Sequence, residues 1–255
     1  MNIVAWNIQG GGGRRVGAVA DELIRRDADV FVIGEYVRGT SEPLVQRLVG
    51  EGWVHAELPE PPDRYGGVAV ISRHVLKRLD PLSGMGEQAD YRHVGVGIAG
   101  TGMEIRAVYG PLHKDPYRLF WESLLGDLSE QADRPTLVIG DFNAGMPRTD
   151  NEASTFFCSR YFEQFPGIGY TDLWRRSNGA DAREHTWECR RDGTVFPHRL
   201  DHAFGSPTVT SRLRACHYDH AVRRAKLSDH SLLTVELDDA ATAHSSGGAG
   251  ERLVR

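Results

Sequence analysis

The sequence predicts a mixed α/β domain in which strands outnumber helices. Short apolar runs rich in β-branched residues recur along most of the chain, as in buried strands. Two longer segments instead repeat their apolar residues with helical spacing. No proline- or serine-rich linker and no internal repeat divides the 255 residues, which are enough to bury one large core. We therefore expect one domain rather than two.

Strands are expected where apolar runs lie between glycine-rich turns. These runs are 2–8, 29–33, 53–57, 66–72, 91–99, 103–109, 136–139, 213–217 and 231–237. Helices are expected at 16–24, at 43–50 and from Asp115-Pro116 to Leu128, where Asp is a favourable N-cap and Pro a favourable first residue. A weaker pattern predicts helix at 148–165, and 194–201 is expected to be a loop that enters a strand through Asp201.

The domain is expected to span 1–238, followed by a disordered tail at 239–255 that is rich in Ala, Ser, Gly and charge. Apolar residues make up 40% of the chain and charged residues 25%, as in ordinary soluble proteins. We expect neither a secretory signal nor a membrane span. The three cysteines, at 158, 189 and 216, have no metal-binding spacing and predict a reducing, cytoplasmic location.

The formal net charge is −5, which does not favour a protein that coats nucleic acid. The charge is uneven, however, because 183–226 holds nine Lys and Arg against five Asp and Glu. This basic segment either helps to hold a phosphate backbone or consists of solvated surface arginines. The sequence leaves both explanations open and predicts no protein partner.

The most informative stretch is Pro135–Asn143, with the sequence PTLVIGDFN. A short buried strand is predicted at 136–139, and Gly140 is expected to end it. Alternation along an extended chain then directs the side chains of Asp141 and Asn143 to the same side. They form either part of a site at the strand end, as is common in α/β proteins, or only an Asx-turn.

Other polar side chains also stand at predicted strand ends. The set comprises Asn7, Glu35, Tyr109, Asp141, Asn143, Asp201, Asp229 and His230. Neighbouring carboxylates repel each other unless a cation or a proton lies between them. The candidate metal ligands are oxygens, which suit Mg²⁺ or Mn²⁺ rather than Zn²⁺. This chemistry favours attack of water on a phosphate ester.

The ordered motifs WN, E, YGGVAVIS, VYGP, GDFN, RLDHAF and SDH resemble the endonuclease/exonuclease/phosphatase superfamily. That superfamily includes exonuclease III-type repair enzymes, deoxyribonuclease I, sphingomyelinases and inositol-polyphosphate phosphatases. The motifs run from residue 5 to about residue 237. The resemblance implies a four-layer α/β/β/α sandwich, in which two mixed sheets pack face to face with helices outside.

The resemblance also implies roles for the strand-end residues. Glu35 would be the main ligand of Mg²⁺ or Mn²⁺, with Asn7 and Asp229 beside it. Asp141 would orient or deprotonate the attacking water, and Asn143 would hold that water or a phosphate oxygen. His230, polarised by Asp201, would contact the phosphate or act as general base.

Tyr109 would lie at the phosphate and assist the leaving group. Three further residues are candidate substrate contacts. They are Arg14, which follows the glycine run 10–13, His113, and Arg199. The glycine run itself is either a flexible loop or a phosphate cradle.

Several positions depart from the family pattern. Gly34 stands where many members carry Gln, and Gln9 where repair members carry Asp or Asn. His113 stands where many have Asn, and His198 lies near the position of a pocket aromatic. The first hypothesis is a Mg²⁺-dependent nuclease acting on DNA or RNA. The alternatives are a phosphoesterase for a small molecule or lipid headgroup and, last, a non-catalytic binding module.

Overall fold

Two large β-sheets packed face to face form the centre of the protein in this computed structural model. The structure describes residues 1–62, 65–85, 90–112 and 117–238, apart from the side chains at 90 and 189–191. The first sheet has the order β13 (Leu213–Asp219), β14 (Leu232–Leu237), β1 (Asn2–Asn7), β2 (Val30–Tyr36), β4 (Gly67–Ser72) and β3 (His55–Glu57). The second has the order β5 (Leu76–Arg78), β6 (His93–Ile98), β7 (Met103–Tyr109), β8 (Thr136–Asp141), β12 (Asp201–Gly205) and β9 (Thr171–Asp172).

Helices cover the outer face of each sheet. Those in the described part of the chain are α1 (Val16–Arg26), α2 (Glu42–Gly50), α3 (Tyr117–Glu130), α4 (Ser159–Phe162), α5 (Leu173–Asn178), α6 (Pro207–Ser211) and α7 (Ala221–Arg224). Apolar residues of α1 and α2 pack on the first sheet, and those of α3 and α4 pack on the second. A third core, with Ile3, Val70, Ile105 and Leu137 among its members, fills the space between the sheets. The four-layer sandwich is confirmed.

Each sheet contains one parallel pair, and these pairs position the polar strand ends. β1 runs parallel to β2 with Asn7 opposite Gly34, and β7 runs parallel to β8 with Tyr109 opposite Asp141. β12 is antiparallel to β8, so that its first residue, Asp201, also lies opposite Asp141. The topology therefore brings strand ends and strand starts from distant parts of the sequence to one rim of the sandwich.

Two strands continue beyond their predicted ends. β8 passes through Gly140 to Asp141, because Gly140 adopts a φ of +144° that keeps the chain extended past Val108. β2 likewise includes Glu35, which has a φ of +56° at a register shift between Gly34 and Tyr36. Such a bulge bends the strand and redirects a side chain. Glu35 therefore lies within its strand rather than after it.

The helix predicted at 148–165 is wrong for most of its length, and only Ser159–Phe162 is α-helical. The Asp150 and Asn151 side chains accept hydrogen bonds from the backbone N–H groups of Met146 and Arg148. Such side-chain bonds compete with helical backbone bonds, and they hold this segment as a series of turns. The strand at 76–78 and the short helices at 207–211 and 221–224 were not predicted.

A hairpin of β10 (Trp187–Arg191) and β11 (Thr194–His198) stands apart from the two main sheets. The sequence predicted a loop where β11 lies and made no prediction for β10. The hairpin turn is Asp192-Gly193, in which both residues have positive φ. Asp-Gly is a strong sequence signal for a two-residue hairpin turn, so the hairpin is encoded locally. The segment 239–255, expected to be disordered, and the helix start at Asp115-Pro116 lie outside the described residues.

The close packing at Gly140 gives a stability prediction. A Cβ added there would lie 2.0 Å from the carbonyl oxygen of Val108. Gly140→Ala should therefore lower the free energy of unfolding, measured with urea, by at least about 3 kcal/mol. Gly126→Ala is the matched control, because a Cβ in α3 there meets nothing within 4 Å and should be neutral or stabilise by about 0.5–1 kcal/mol. Equal effects of both substitutions would contradict the packing argument.

Candidate active site

The carboxamide of Asn7 joins the two sheets at the shared rim. Its Nδ2 donates to Glu35 Oε1 at 3.0 Å in the first sheet and to Asp141 Oδ2 at 2.8 Å in the second. Its Oδ1 accepts from the backbone N–H of Gln9 at 2.9 Å, and Glu35 Oε2 accepts from the N–H of Gly10 at 2.6 Å. The start of the glycine run thus binds a carboxylate of the site, and Asn7, Glu35 and Asp141 lie together.

His230 completes a second link between the sheets. Its Nδ1 is 2.9 Å from Asp201 Oδ2, and its Nε2 is 3.8 Å from Asp141 Oδ2 and 3.5 Å from Asn7 Nδ2. All four side chains are almost completely buried. The Asp201 carboxylate fixes the orientation of the imidazole, so that Nε2 faces the carboxylate predicted to contact the attacking water.

Burial and charge shift the pKa values of this pair. Burial raises the pKa of Asp141 to about 7, opposed by the His230 charge and assisted by that of Asp201. Burial alone lowers the pKa of His230, but the carboxylates of Asp201 and Asp141 more than offset it and raise that pKa to about 10. Perturbed pKa values of this kind are typical of groups that transfer protons.

The two carboxylate oxygens of Asp229 differ in their contacts with the described residues. Its Oδ2 accepts a hydrogen bond from the Trp187 indole at 3.0 Å, whereas its buried Oδ1 has no hydrogen-bond partner among the described residues. An unsatisfied buried oxygen is unfavourable, and a bound cation would satisfy it. With Asn7 and Glu35, the available ligands are oxygens, which Mg²⁺ and Mn²⁺ prefer. The residues present thus fit a hard divalent cation.

A different group of side chains is also close enough to hold an ion. In the described part of the chain, donor atoms of Asp141, Asp201 and His230 lie within 4.8 Å of one another. The 2.9 Å contact between His230 Nδ1 and Asp201, however, is the arrangement of a histidine oriented by a carboxylate. We therefore retain Asn7, Glu35 and Asp229 as the predicted metal ligands.

Asn143 and Tyr109 stand at the same rim. The backbone N–H of Asn143 donates to Asp141 Oδ1 at 2.9 Å, which is the Asx-turn that the sequence had left open. The Asn143 side chain donates to the carbonyl of Gly110 at 3.0 Å, and Arg92 donates to that same carbonyl at 3.1 Å. The Arg92 guanidinium lies 5.1 Å from the centre of the Tyr109 ring. The Asx-turn and the predicted site therefore involve the same residues, and one does not exclude the other.

The candidate substrate contacts have different outcomes. Arg14 is exposed beside the glycine run, and His113 lies outside the described residues. Arg199 is 1% exposed, donates from Nε to Asp150 Oδ1 at 2.7 Å and also pairs with Asp172. Arg199 is therefore a buried structural cation, and its proposed contact with substrate is wrong.

Several residues that support the site were not predicted. The Ser228 hydroxyl donates to the carbonyl of Asn7 at 2.6 Å and accepts from the N–H of His230 at 3.1 Å. The Trp6 indole donates to the carbonyl of His230 at 3.2 Å. Trp6 directly precedes Asn7 in the WN motif, and Ser228 directly precedes Asp229 in the SDH motif. This adjacency to predicted site residues was the sequence signal for their supporting role. Trp187 lies on β10 and adjoins no predicted site residue, so adjacency gave no signal for it.

The backbone is strained around the site. Gln9, Glu35 and Asn143 have φ values of 56°, 56° and 48°, a region that non-glycine residues rarely adopt. Each such conformation costs about 1–3 kcal/mol and persists where the surrounding structure enforces it, often at functional sites. Glu35 and Asn143 belong to the predicted set, and Gln9 lies two residues after Asn7, the last residue of β1.

Comparisons with known proteins agree with this geometry. The family model described as "Endonuclease/Exonuclease/phosphatase family" matches residues 4–230. The chain belongs to this family and is an enzyme that hydrolyses phosphate esters. Comparison with curated protein sequences gives no match. Among the described residues, no helix is long and apolar enough to cross a membrane.

Solved structures share the fold at low sequence identity. A 3′ phosphatase from Neisseria, solved with a product DNA hairpin, has a TM-score of 0.79 at 22% identity, covering 93% of this chain and 99% of its own. An AP endonuclease from Archaeoglobus fulgidus has a TM-score of 0.77 at 19% identity, and the match covers 93% of this chain and 99% of the endonuclease. The APE2 catalytic domain of Xenopus laevis has a TM-score of 0.70 at 18% identity, and the match covers 93% of this chain and 91% of that domain.

The buried Arg199 gives a second stability prediction. Arg199→Gln leaves the fully buried Asp150 carboxylate with fewer cationic partners, so the free energy of unfolding should fall by about 3–5 kcal/mol in urea. Arg134→Gln is the control, because the Arg134 side chain is exposed and Glu104 keeps its pair with Arg106, so the loss should cost at most about 1 kcal/mol. A change at Arg199 no larger than that of the control would contradict the structural role.

Proposed function

We propose that this protein is a divalent-metal-dependent phosphodiesterase that acts as a nuclease on DNA or RNA. The observation that carries the proposal is the buried chain of contacts from Asn7 through Asp141 to His230 and Asp201 in a member of this family. In this chain the Asp141 carboxylate contacts both the Asn7 carboxamide and the imidazole of His230, which Asp201 orients. Hydrolysis of a phosphate ester needs this combination to orient water and hold phosphate oxygens.

Glu35, Asn7 and Asp229 would hold Mg²⁺ or Mn²⁺, with Glu35 as the main ligand. Such an ion supplies charge neutralisation at the phosphate and stabilises the leaving oxygen. The protein's own contribution is to fix the ligands in place. Gly10 N–H and Asn7 hold the two oxygens of Glu35, and the Trp187 indole holds one oxygen of Asp229.

Asp141 is proposed to orient the attacking water and to accept its proton. Its Oδ1 is already held by the N–H of Asn143, which leaves Oδ2 near Asn7 and His230 for this contact. His230 is proposed to bind a phosphate oxygen through Nε2, since Nδ1 is engaged by Asp201. Asn143 and Tyr109 would contact the phosphate and the leaving group from the other sheet.

A nucleic acid is the favoured substrate, and the relatives with related folds include a 3′ phosphatase bound to a DNA hairpin and an AP endonuclease. A small-molecule or lipid-headgroup phosphate is the second candidate, because the formal net charge is −5. The cytoplasmic location expected from the cysteines also remains a proposal, supported by the free and buried Cys158 and Cys216.

An activity screen separates these substrates. The purified protein is incubated with Mg²⁺ or Mn²⁺ and with supercoiled DNA, single-stranded DNA, abasic duplex, RNA, sphingomyelin or inositol phosphates. We expect cleavage of a nucleic acid and a steep loss of affinity as salt rises. Turnover restricted to a small phosphate ester, with a flat response to salt, would favour the second candidate.

Removing the central side chains should abolish turnover without unfolding the protein. Asp141→Asn and His230→Gln are each expected to lower kcat on the preferred substrate by about 10²–10⁴-fold, as expected for groups that act on the proton or the phosphate. His217→Gln, at an exposed position of β13, is the control and should retain wild-type kcat. Near-normal rates in both site variants, with circular dichroism spectra like wild type, would overturn the assignment.

Loss of a predicted metal ligand should change the metal requirement. Glu35→Gln is expected to raise the Mg²⁺ concentration at half-maximal activity by about 10–100-fold, and calorimetry should show the same loss in metal affinity. Glu57→Gln, a carboxylate on the edge strand β3, is the control and should leave both values unchanged. An unchanged Mg²⁺ requirement in Glu35→Gln would place the metal on other residues.

A further inference from the structure

A cavity of about 300 Å³ opens beside Asp229. Its lining consists of Gln9, Glu188, Arg223, Lys226, Ser228 and Asp229. Residue 9 follows β1, residue 188 lies on the hairpin, and 223–229 connect β13 to β14. Through Asp229 the cavity shares one wall with the predicted metal centre. No role assigned above uses Arg223 or Lys226.

Lys226 occupies a backbone position that normally belongs to glycine. It follows the end of α7 with a φ of +58°, and its N–H donates to the carbonyl of Arg223 at 3.0 Å. The next N–H, that of Leu227, donates to the carbonyl of Val222 at 3.0 Å. This pair of bonds is the Schellman motif, in which glycine avoids the strain of positive φ. A lysine there carries backbone strain that glycine would avoid, and such strain is common at functional sites.

The cavity lining contains two cations, Arg223 and Lys226, and two carboxylates, Glu188 and Asp229. Glu188 lies 3.4 Å from Arg223, and Asp229 is held by Trp187 and belongs to the predicted metal ligands. The Arg223 atom nearest Glu188 is Nη1, which is buried and makes no hydrogen bond to a described residue, so this contact is an ion pair only. Gln9 contributes no charge. Because Arg223 is paired with Glu188, Lys226 is the cation of the lining that has no ion pair with a described residue, and it is the group left to meet an anion.

We propose that this cavity binds a second phosphate of a polynucleotide strand, next to the phosphate that is hydrolysed. The inference rests on the proposed function and makes it more specific. A guanidinium and an ammonium group are the usual partners of backbone phosphates, and they position a strand without reading its sequence. A substrate with a single phosphate has no group to place there. The cavity therefore selects for nucleic acid over esters that carry a single phosphate.

The test measures binding and turnover separately. Binding of a fluorescein-labelled 20-base-pair DNA duplex is followed by anisotropy with Mg²⁺ present, in the Asp141→Asn background, so that no cleavage interferes. Lys226→Gly and Arg223→Gln are each expected to raise Kd roughly tenfold and to reduce the slope of log K against log salt by about one. Arg214→Gln is the control, because it removes one positive charge at the opposite end of β13.

Lys226→Gly distinguishes ligand binding from a structural role. Glycine relieves the strain at this position, so the substitution should leave the urea midpoint unchanged or higher while binding weakens. Binding equal to that of Arg214→Gln would overturn the proposal. A lower urea midpoint would assign Lys226 a structural role, in which case Arg223→Gln decides the question by the same comparison.

Turnover of a single phosphodiester distinguishes this proposal from the proposed function. With Asp141 restored, the kcat/KM of Lys226→Gly on bis(p-nitrophenyl) phosphate should stay within about twofold of wild type, while KM for the duplex rises roughly tenfold. Equal losses on both substrates would overturn the second-phosphate site while leaving the proposed function intact. If wild type hydrolyses neither substrate, the proposed function fails, and the anisotropy result still decides whether the cavity binds DNA.

Discussion

The hydrogen bonds that cross between the two sheets at their polar rim are the interactions on which the site depends. Asn7 reaches from the first sheet to Asp141 of the second, and His230 reaches to Asp201 in the same direction. These groups are buried, and buried polar groups destabilise a fold unless each has a partner. The partners here come from opposite sheets, so the relative position of the sheets sets the geometry of the site. Apolar packing between the sheets fixes that position within narrow limits.

Strand direction explains why residues two hundred positions apart meet. A parallel pair places two carboxyl ends at one edge, and an antiparallel neighbour adds the start of its own strand. β7 and β8 form such a pair, and β12 adds Asp201 to it. In the first sheet, β1 and β2 do the same, while β14 starts just after His230. Because both sheets follow this pattern, the polar residues at their strand ends lie at the same rim of the sandwich.

The sequence predicted these strand ends because buried strands leave a strong apolar pattern and polar residues stand out where it stops. It did not predict what depends on backbone detail or on distant partners. The bulge that redirects Glu35 arises from pairing with β4, and nothing near residue 35 encodes that register. Asp150, in the segment predicted to be helical, forms an ion pair with Arg199, which lies far away in sequence. A local pattern around Asp150 does not encode this partner. The Asp192-Gly193 turn, by contrast, was encoded locally, so the hairpin that carries Trp187 was predictable.

The basic segment at 183–226 shows why composition alone could not decide the substrate. Its two explanations, surface charge and phosphate binding, were treated as alternatives for the whole segment. The structure divides the segment instead. Arg199 is buried against carboxylates and supports the strand that carries Asp201, whereas Arg223 and Lys226 line a cavity that begins at Asp229. The proposed centre acts on one phosphate, so discrimination among phosphate esters would come from its surroundings. A lysine kept at a glycine position in those surroundings is a physical reason to favour a polynucleotide.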